Sequence, residues 1–289
     1  MRARRPSRAG LAAAGALATV CGCLLALLAA LSLTLFREGF YLHKLEQSTA
    51  LQTIYDNVVQ GARTVAETAG LRAGILDGLV EPEDVRVAVV RRADEIWHGT
   101  TEQPASPYAD AVTYLQDTVS RETGELWDEA DAALYRNIQL ICDDMWRTNA
   151  VPPLANLLNL LMQYRRVAWG LMAVLAVLLA VCLWLLAPFS RDWQQLTDAV
   201  YGVGAAVALS AALGMALLGG CGWQGWMPAG DPAYGLYLDW FGALPPVLAA
   251  CGSALAGLIW IAGLYPYVQA QLRRPAGRRA GHKARARVK

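Results

Sequence analysis

The sequence predicts an all-α protein with four transmembrane helices and an extracytoplasmic helical bundle inserted between the first and second spans. Three observations carry that expectation. Four apolar stretches, at residues 10–36, 167–189, 199–220 and 242–267, hold no charged side chain and run 22 to 27 residues. As helices they are long enough to cross a hydrocarbon core of about 30 Å. The insert at residues 37–166 has apolar positions at helical spacing and no period-two alternation. Charge is strongly segregated even though the net charge is only +1.

Segregation sets the expected topology. Arg2, Arg4, Arg5 and Arg8 lie at residues 1–9, ahead of the first span, and residues 268–289 carry Arg273, Arg274, Arg278, Arg279, Lys283, Arg285, Arg287 and Lys289. The insert holds 12 basic and 20 acidic residues, a net of −8, and the loop at residues 221–241 has two Asp and no Lys or Arg. Basic residues collect on the cytoplasmic side. Both termini are therefore expected inside, with the insert and the 221–241 loop outside and residues 190–198, bearing Arg191, inside. Arg165 and Arg166 run against this rule and read as interfacial anchors. Arg outnumbers Lys 22 to 3 among abundant Ala and Gly, the bias of a GC-rich bacterial genome, so the expected location is a bacterial plasma membrane.

The first span competes with a signal-peptide reading, but it is long for an h-region and Phe36-Arg37-Glu38 offers no small-x-small site. Cys21 and Cys23 are poor lipobox matches. From Phe40 onward, Leu51, Ile54, Tyr55, Val58, Ala62 and Val65 form one stripe. With no Pro or Gly across residues 40–60, the span is expected to continue outward as one long helix to about Ala69. A second insert helix is expected from Glu81-Pro82 to Gly99, burying Val85, Val89, Ala93, Ile96 and Trp97. A third starts at Ser106-Pro107 and buries Val112, Leu115 and Val119. A fourth, after Gly124, buries Trp127, Ala130, Leu134, Ile138, Ile141 and Met145 and is stopped by Pro152-Pro153.

Span three carries small residues at every fourth position, Gly204, Ala208, Ala212, Ala216 and Gly220, with a second row at Gly202, Ala206, Ser210 and Gly214; span four has Ala249, Ser253 and Gly257. Such rows let helices approach closely. They are expected to pack spans three and four, with self-association as the alternative. The 221–241 loop concentrates Trp223, Trp226, Tyr234, Tyr237, Trp240 and Phe241. These read as an aromatic belt at headgroup level or as a lid or docking surface contacting lipid or a partner.

Chemistry is sparse. His43 with Glu46, and Asp94 with His98, share helix faces as two-ligand sets with no third ligand in sight, so no metal or other cofactor is expected. Glu122, Glu125, Asp128, Glu129, Asp131 and the Asp143-Asp144 pair read as an exposed acidic face, without an oxygen-rich calcium loop. No catalytic motif is present, and no span holds an ionisable group of the kind that proton- and ion-coupled carriers use. Cys142 and Cys221 are the one pair on the outer side that a disulfide could join. The plan resembles bacterial transmembrane sensors and a lipoprotein transacylase family in outline only, so no family is assigned.

The expected role is non-enzymatic binding of a ligand or partner through the outer helical domain. A membrane-interface enzyme acting on lipid, with the loop as lid, and an oligomeric channel or transporter accessory subunit are the alternatives. Expected partners are the lipid bilayer, anionic lipid at the basic tail, and a membrane protein or a second copy; no nucleic acid is expected.

Overall fold

The structure, a computed structural model, describes residues 8–99, 105–123, 129–190, 192–228, 231 and 233–272. Regular structure among them is helical throughout: α1 (Arg8–Leu33), α2 (Glu38–Gln47), α3 (Ala50–Thr68), α4 (Pro82–His98), α5 (Ala111–Thr123), α6 (Glu129–Asn149), α7 (Ala155–Phe189), α8 (Trp193–Gly220), α9 (Tyr234–Gly242) and α10 (Leu244–Leu272). Short 3-10 turns lie at Asp77–Leu79, Pro107–Asp110 and Trp223–Trp226. Four helices are long and apolar enough to cross a membrane: α1, α7, α8, and α10 with α9 leading into it. Arg2, Arg4, Arg5, Glu125, Trp127, Asp128, Arg191 and the tail from Arg273 to Lys289 lie outside the described residues.

Two compact units result. One gathers Met1–Ser32, Val167–Cys221 and Leu244–Lys289; the other joins Leu33–Arg166 to Gly222–Ala243. The segment between α8 and α10 thus belongs with the insert.

The unit that contains the span-length helices keeps small residues inside. Every fourth residue of α1 is small, and Ala14, Ala18, Gly22, Ala26 and Ala30 are all buried. They cluster with Leu175, Leu179, Val203 and Val207 at one end and with Ala211 and Leu248 at the other. Helices α8 and α10 pair most extensively. A Cβ on Gly204 would strike Trp260, one on Gly252 would strike Ala211, and one on Gly263 would strike Val200. Ascending positions on α8 meet descending ones on α10, so the pair is antiparallel. Trp260 Nε1 also donates to the Tyr201 carbonyl at 3.2 Å.

The α8 seam runs through Val200, Gly204, Val207 and Ala211, alternating steps of four and three. That keeps it on one face, whereas a strict four-residue row drifts about 40° per step around a 3.6-residue helix. Within the five-residue row Gly204 is accordingly buried, Ala208 is half-buried, and Ala212, Ala216 and Gly220 are exposed. Large apolar side chains instead face outward, Leu209, Leu213, Val177 and Ile261 among them. A water-facing surface of that kind would be a large apolar patch, while hydrocarbon favours it.

The second unit is built the other way round. Its helices start and stop at the expected signals: Glu81 and Asp84 form a capping box before α4, and Gly99 closes α4 at φ 73°. Ser106 accepts from Tyr108 N. The long outward continuation of span one is not observed. Arg37 is extended, and the helix breaks again at Ser48, also extended. There the Ser48 hydroxyl donates to the Leu45 carbonyl and accepts from Ala50 N. A serine side chain that competes for backbone groups ends a helix without Gly or Pro.

In α6 the buried face is Tyr135, Ile138, Cys142 and Trp146. Of the described members of the expected set, Leu134 and Ile141 are exposed, Met145 is half-buried and Ile138 is fully buried; Trp127 lies outside the described residues. The face is set by α3, where Gly61 leaves room for Met145, and by α5, where Leu115 is buried. An ion pair between Arg63 and Asp77 and another between Arg86 and Glu46 tie the turns down at the surface.

Candidate functional site

Three constellations in the second unit bring polar or aromatic side chains together. The first is aromatic. Tyr41 on α2 packs against Trp97 of α4 at 5.4 Å between ring centroids and edge-on against Trp240 of α9 at 5.2 Å. Trp240 meets Phe241, Phe241 meets Tyr237, and Tyr237 meets Trp223. The Tyr237 hydroxyl donates to the Trp223 carbonyl at 3.0 Å.

Trp240 is fully buried and Tyr237 nearly so; Trp223, Tyr234 and Phe241 are half-buried, and Trp226 is 74% exposed. Trp240 and Tyr237 are therefore core residues, not contact residues, and neither a headgroup belt nor a docking surface describes them. The reason is area: each ring gains more from burial against other rings in this unit than from lying at its surface. The dense Gly and Pro of the segment also find a role. Gly222 takes φ 69°, Asp231 Oδ1 accepts from Ala233 N to start α9, and Pro245 and Pro246 sit in the first turn of α10, where a missing N–H costs nothing.

The second constellation is an open cleft of about 530 Å³. Its walls come from α3 (Ile54, Asn57), from the α6–α7 connection (Asn149, Pro152, Leu154, Asn156) and from the segment after α8 (Met227, Asp231). Leu154 is the one non-glycine among the described residues with positive φ, at 63°. A branched residue in that region costs roughly 1–2 kcal/mol. The surroundings hold it there: the buried Tyr41 hydroxyl donates to the Pro153 carbonyl at 2.8 Å, and Leu158 N returns to the Leu154 carbonyl at 2.9 Å. Burial pushes the Tyr41 phenol well above its ordinary range, which keeps it a donor. Among the described residues, Asp231 is the one ionisable side chain lining the cleft.

The third constellation adds a partner to the Asp94–His98 pair. Glu38, first residue of α2, reaches the last turn of α4. His98 Nδ1 lies 2.8 Å from Asp94 Oδ1 and Nε2 lies 3.8 Å from Glu38 Oε2. Desolvation by burial raises the Glu38 carboxyl above its ordinary value; His98 opposes this and Asp94 adds to it. No sequence signal announced Glu38, because the contact depends on α2 and α4 packing together. The other pair is not gathered: His43 is exposed and Glu46 is held by Arg86.

All six cysteines are free, Cys142 buried and Cys221 exposed. Burial pushes the Cys142 thiol up to about 11, which marks an inert packing residue. Compared with known protein families, curated proteins and solved structures, the chain matches none.

Proposed function

We propose that this is a multi-pass protein of a bacterial plasma membrane, with both termini cytoplasmic and the second unit outside, and that it binds a small polar ligand or a partner segment in the cleft between α3, the α6–α7 connection and the segment after α8. The observation that carries the reading is the cleft itself, lined by Asn57, Asn149 and Asn156 together with a leucine held in a strained conformation. Strain maintained by its surroundings is characteristic of binding sites. The ligand's chemistry follows from the lining: hydrogen-bonding amides, one carboxylate at Asp231 and apolar patches at Ile54 and Met227 favour a neutral or cationic polar molecule.

Charge segregation supports the orientation. Cys221 is exposed and should react with a membrane-impermeant maleimide added to intact spheroplasts. Reaction only after permeabilisation would reverse the topology. For the cleft, Asn57→Trp fills the space from an exposed position. Native mass spectrometry and cross-linking in membranes should find a species bound to the wild type and absent from this variant. Identical bound species in both, or none in either, would remove the reading.

A further inference from the structure

We infer that Glu38, Asp94 and His98 form a site for a divalent transition-metal ion, with Zn²⁺ the species the donor set suits best. One donor atom from each of the three lies within 4.8 Å of the others. Ligand atoms about 2.0–2.2 Å from a tetrahedral ion stand roughly 3.3–3.6 Å apart. The 3.8 Å between His98 Nε2 and Glu38 Oε2 therefore needs to close by only a few tenths of an ångström. An exposed histidine at a helix end has the freedom to do so.

The arrangement has an ordered division of labour. Asp94 lies against Nδ1 of His98, which fixes the ring so that the Nε2 lone pair points away from Asp94; metal-binding histidines are commonly oriented by a carboxylate in this way. On the Nε2 side lies Glu38, and its carboxyl is also within hydrogen-bond reach of Asp94. Two carboxyl groups in contact share a proton or take a cation between them. Arg165 is the other cation that acts on Glu38, but it supplies no ligand atom. An imidazole nitrogen beside a carboxylate suits Zn²⁺ and its first-row neighbours better than Mg²⁺ and Ca²⁺, which favour oxygen donors. With His98 Nε2 and Glu38 as ligands and Asp94 behind Nδ1, the remaining positions are open to water. The site involves no cleft residue and stands or falls separately from the ligand reading.

The test uses the full-length chain in detergent, without a polyhistidine tag, in a Cys221→Ser background so that the exposed thiol does not compete. After chelator treatment, calorimetric titration with Zn²⁺ should show one saturable equivalent. His98→Ala, Glu38→Gln and Asp94→Asn should each bind at least tenfold more weakly, the range for lost ligands and their orienting partners. His43→Ala should bind as the parent does. The Glu38→Gln and Asp94→Asn variants preserve shape, and an unchanged metal-free thermal midpoint separates lost coordination from lost folding. Saturable binding that survives all three substitutions, or no saturable binding by the parent, overturns the assignment.

Discussion

Six of the described tryptophans set the two units apart, while exposed Trp226 and half-buried Trp223 and Trp260 stand outside the contrast. In the insert unit, Trp97, Trp146 and Trp240 are at most 8% exposed; in the unit of span-length helices, Trp169, Trp184 and Trp193 are between 48% and 73% exposed. Cohesion differs to match. The insert unit holds together by burying large rings, which water rewards. The other brings backbones together through Gly22, Gly204, Gly252 and Gly263, because burying a large apolar side chain gains little when the surrounding solvent is itself apolar. The difference is the one that hydrocarbon around the span-length helices and water around the insert unit would produce.

The comparison can be broken by substitution. Trp240→Ala removes a fully buried ring and should destabilise the insert unit by about 3–5 kcal/mol, read as a lower thermal midpoint and faster proteolysis within residues 33–166. Trp184→Ala, in the outward surface, should change the same midpoint by less than about 0.5 kcal/mol; a comparable loss would dissolve the contrast. Next in size, Gly252→Leu forces α10 off α8 and should cost roughly 1–3 kcal/mol, seen as earlier unfolding of the span-length helices in detergent. Ala216→Leu, three steps along the same row from the contact at Gly204 but exposed, should be silent.

Tyr41→Phe leaves the Pro153 carbonyl without its donor and should cost about 1–3 kcal/mol. If Tyr41 also maintains the Leu154 conformation, the cleft of this variant should lose its bound species in native mass spectrometry. The last expected effect is alkaline. Cys142 titrates at about 11 when folded against an ordinary 9.0. Folding therefore gains from the protonated thiol below pH 9, and that gain disappears as pH rises from 9 toward 11. The Tyr41 phenol, also raised, extends the decline to higher pH. Chemical denaturation across this range should show falling stability in the wild type and a shallower fall in Cys142→Ala.

Much of the fold was legible because it is written in local chemistry. Pro82, Pro107, Gly99 and the Pro152-Pro153 pair start or stop helices through their own backbones, and a charge-free run of 22 residues needs no tertiary context to suggest a span. What escaped was either non-local or masked by composition. Ser48 breaks a helix through its hydroxyl, a signal shared by many serines that do not. The small row of α1 is hidden among abundant alanines and was not singled out, while the row in α8 stood out though only Gly204 in it is buried. Leu134 and Leu140 to Ile141 on α6 offered several adjoining stripes, and only the positions of α3 and α5 decide between them. In the candidate sites, Asp94 and His98 were visible as an i, i+4 pair; Glu38, the Leu154 conformation and the partnership of Tyr41 with Trp240 all depend on packing between distant segments.

That last partnership has a consequence for biogenesis. A ribosome releases Tyr41 about two hundred residues before Trp240, and at roughly 5–20 residues per second the delay is on the order of ten seconds or more. Throughout that interval the nascent insert lacks α9, and Tyr41 and Trp97 have no indole from that helix to pack against. The domain is finished only when α9, after the third span-length helix, has been made, so its compactness reports that synthesis has passed that point. A chain truncated before Tyr234 would leave Tyr41 without the Trp240 ring that packs edge-on against it.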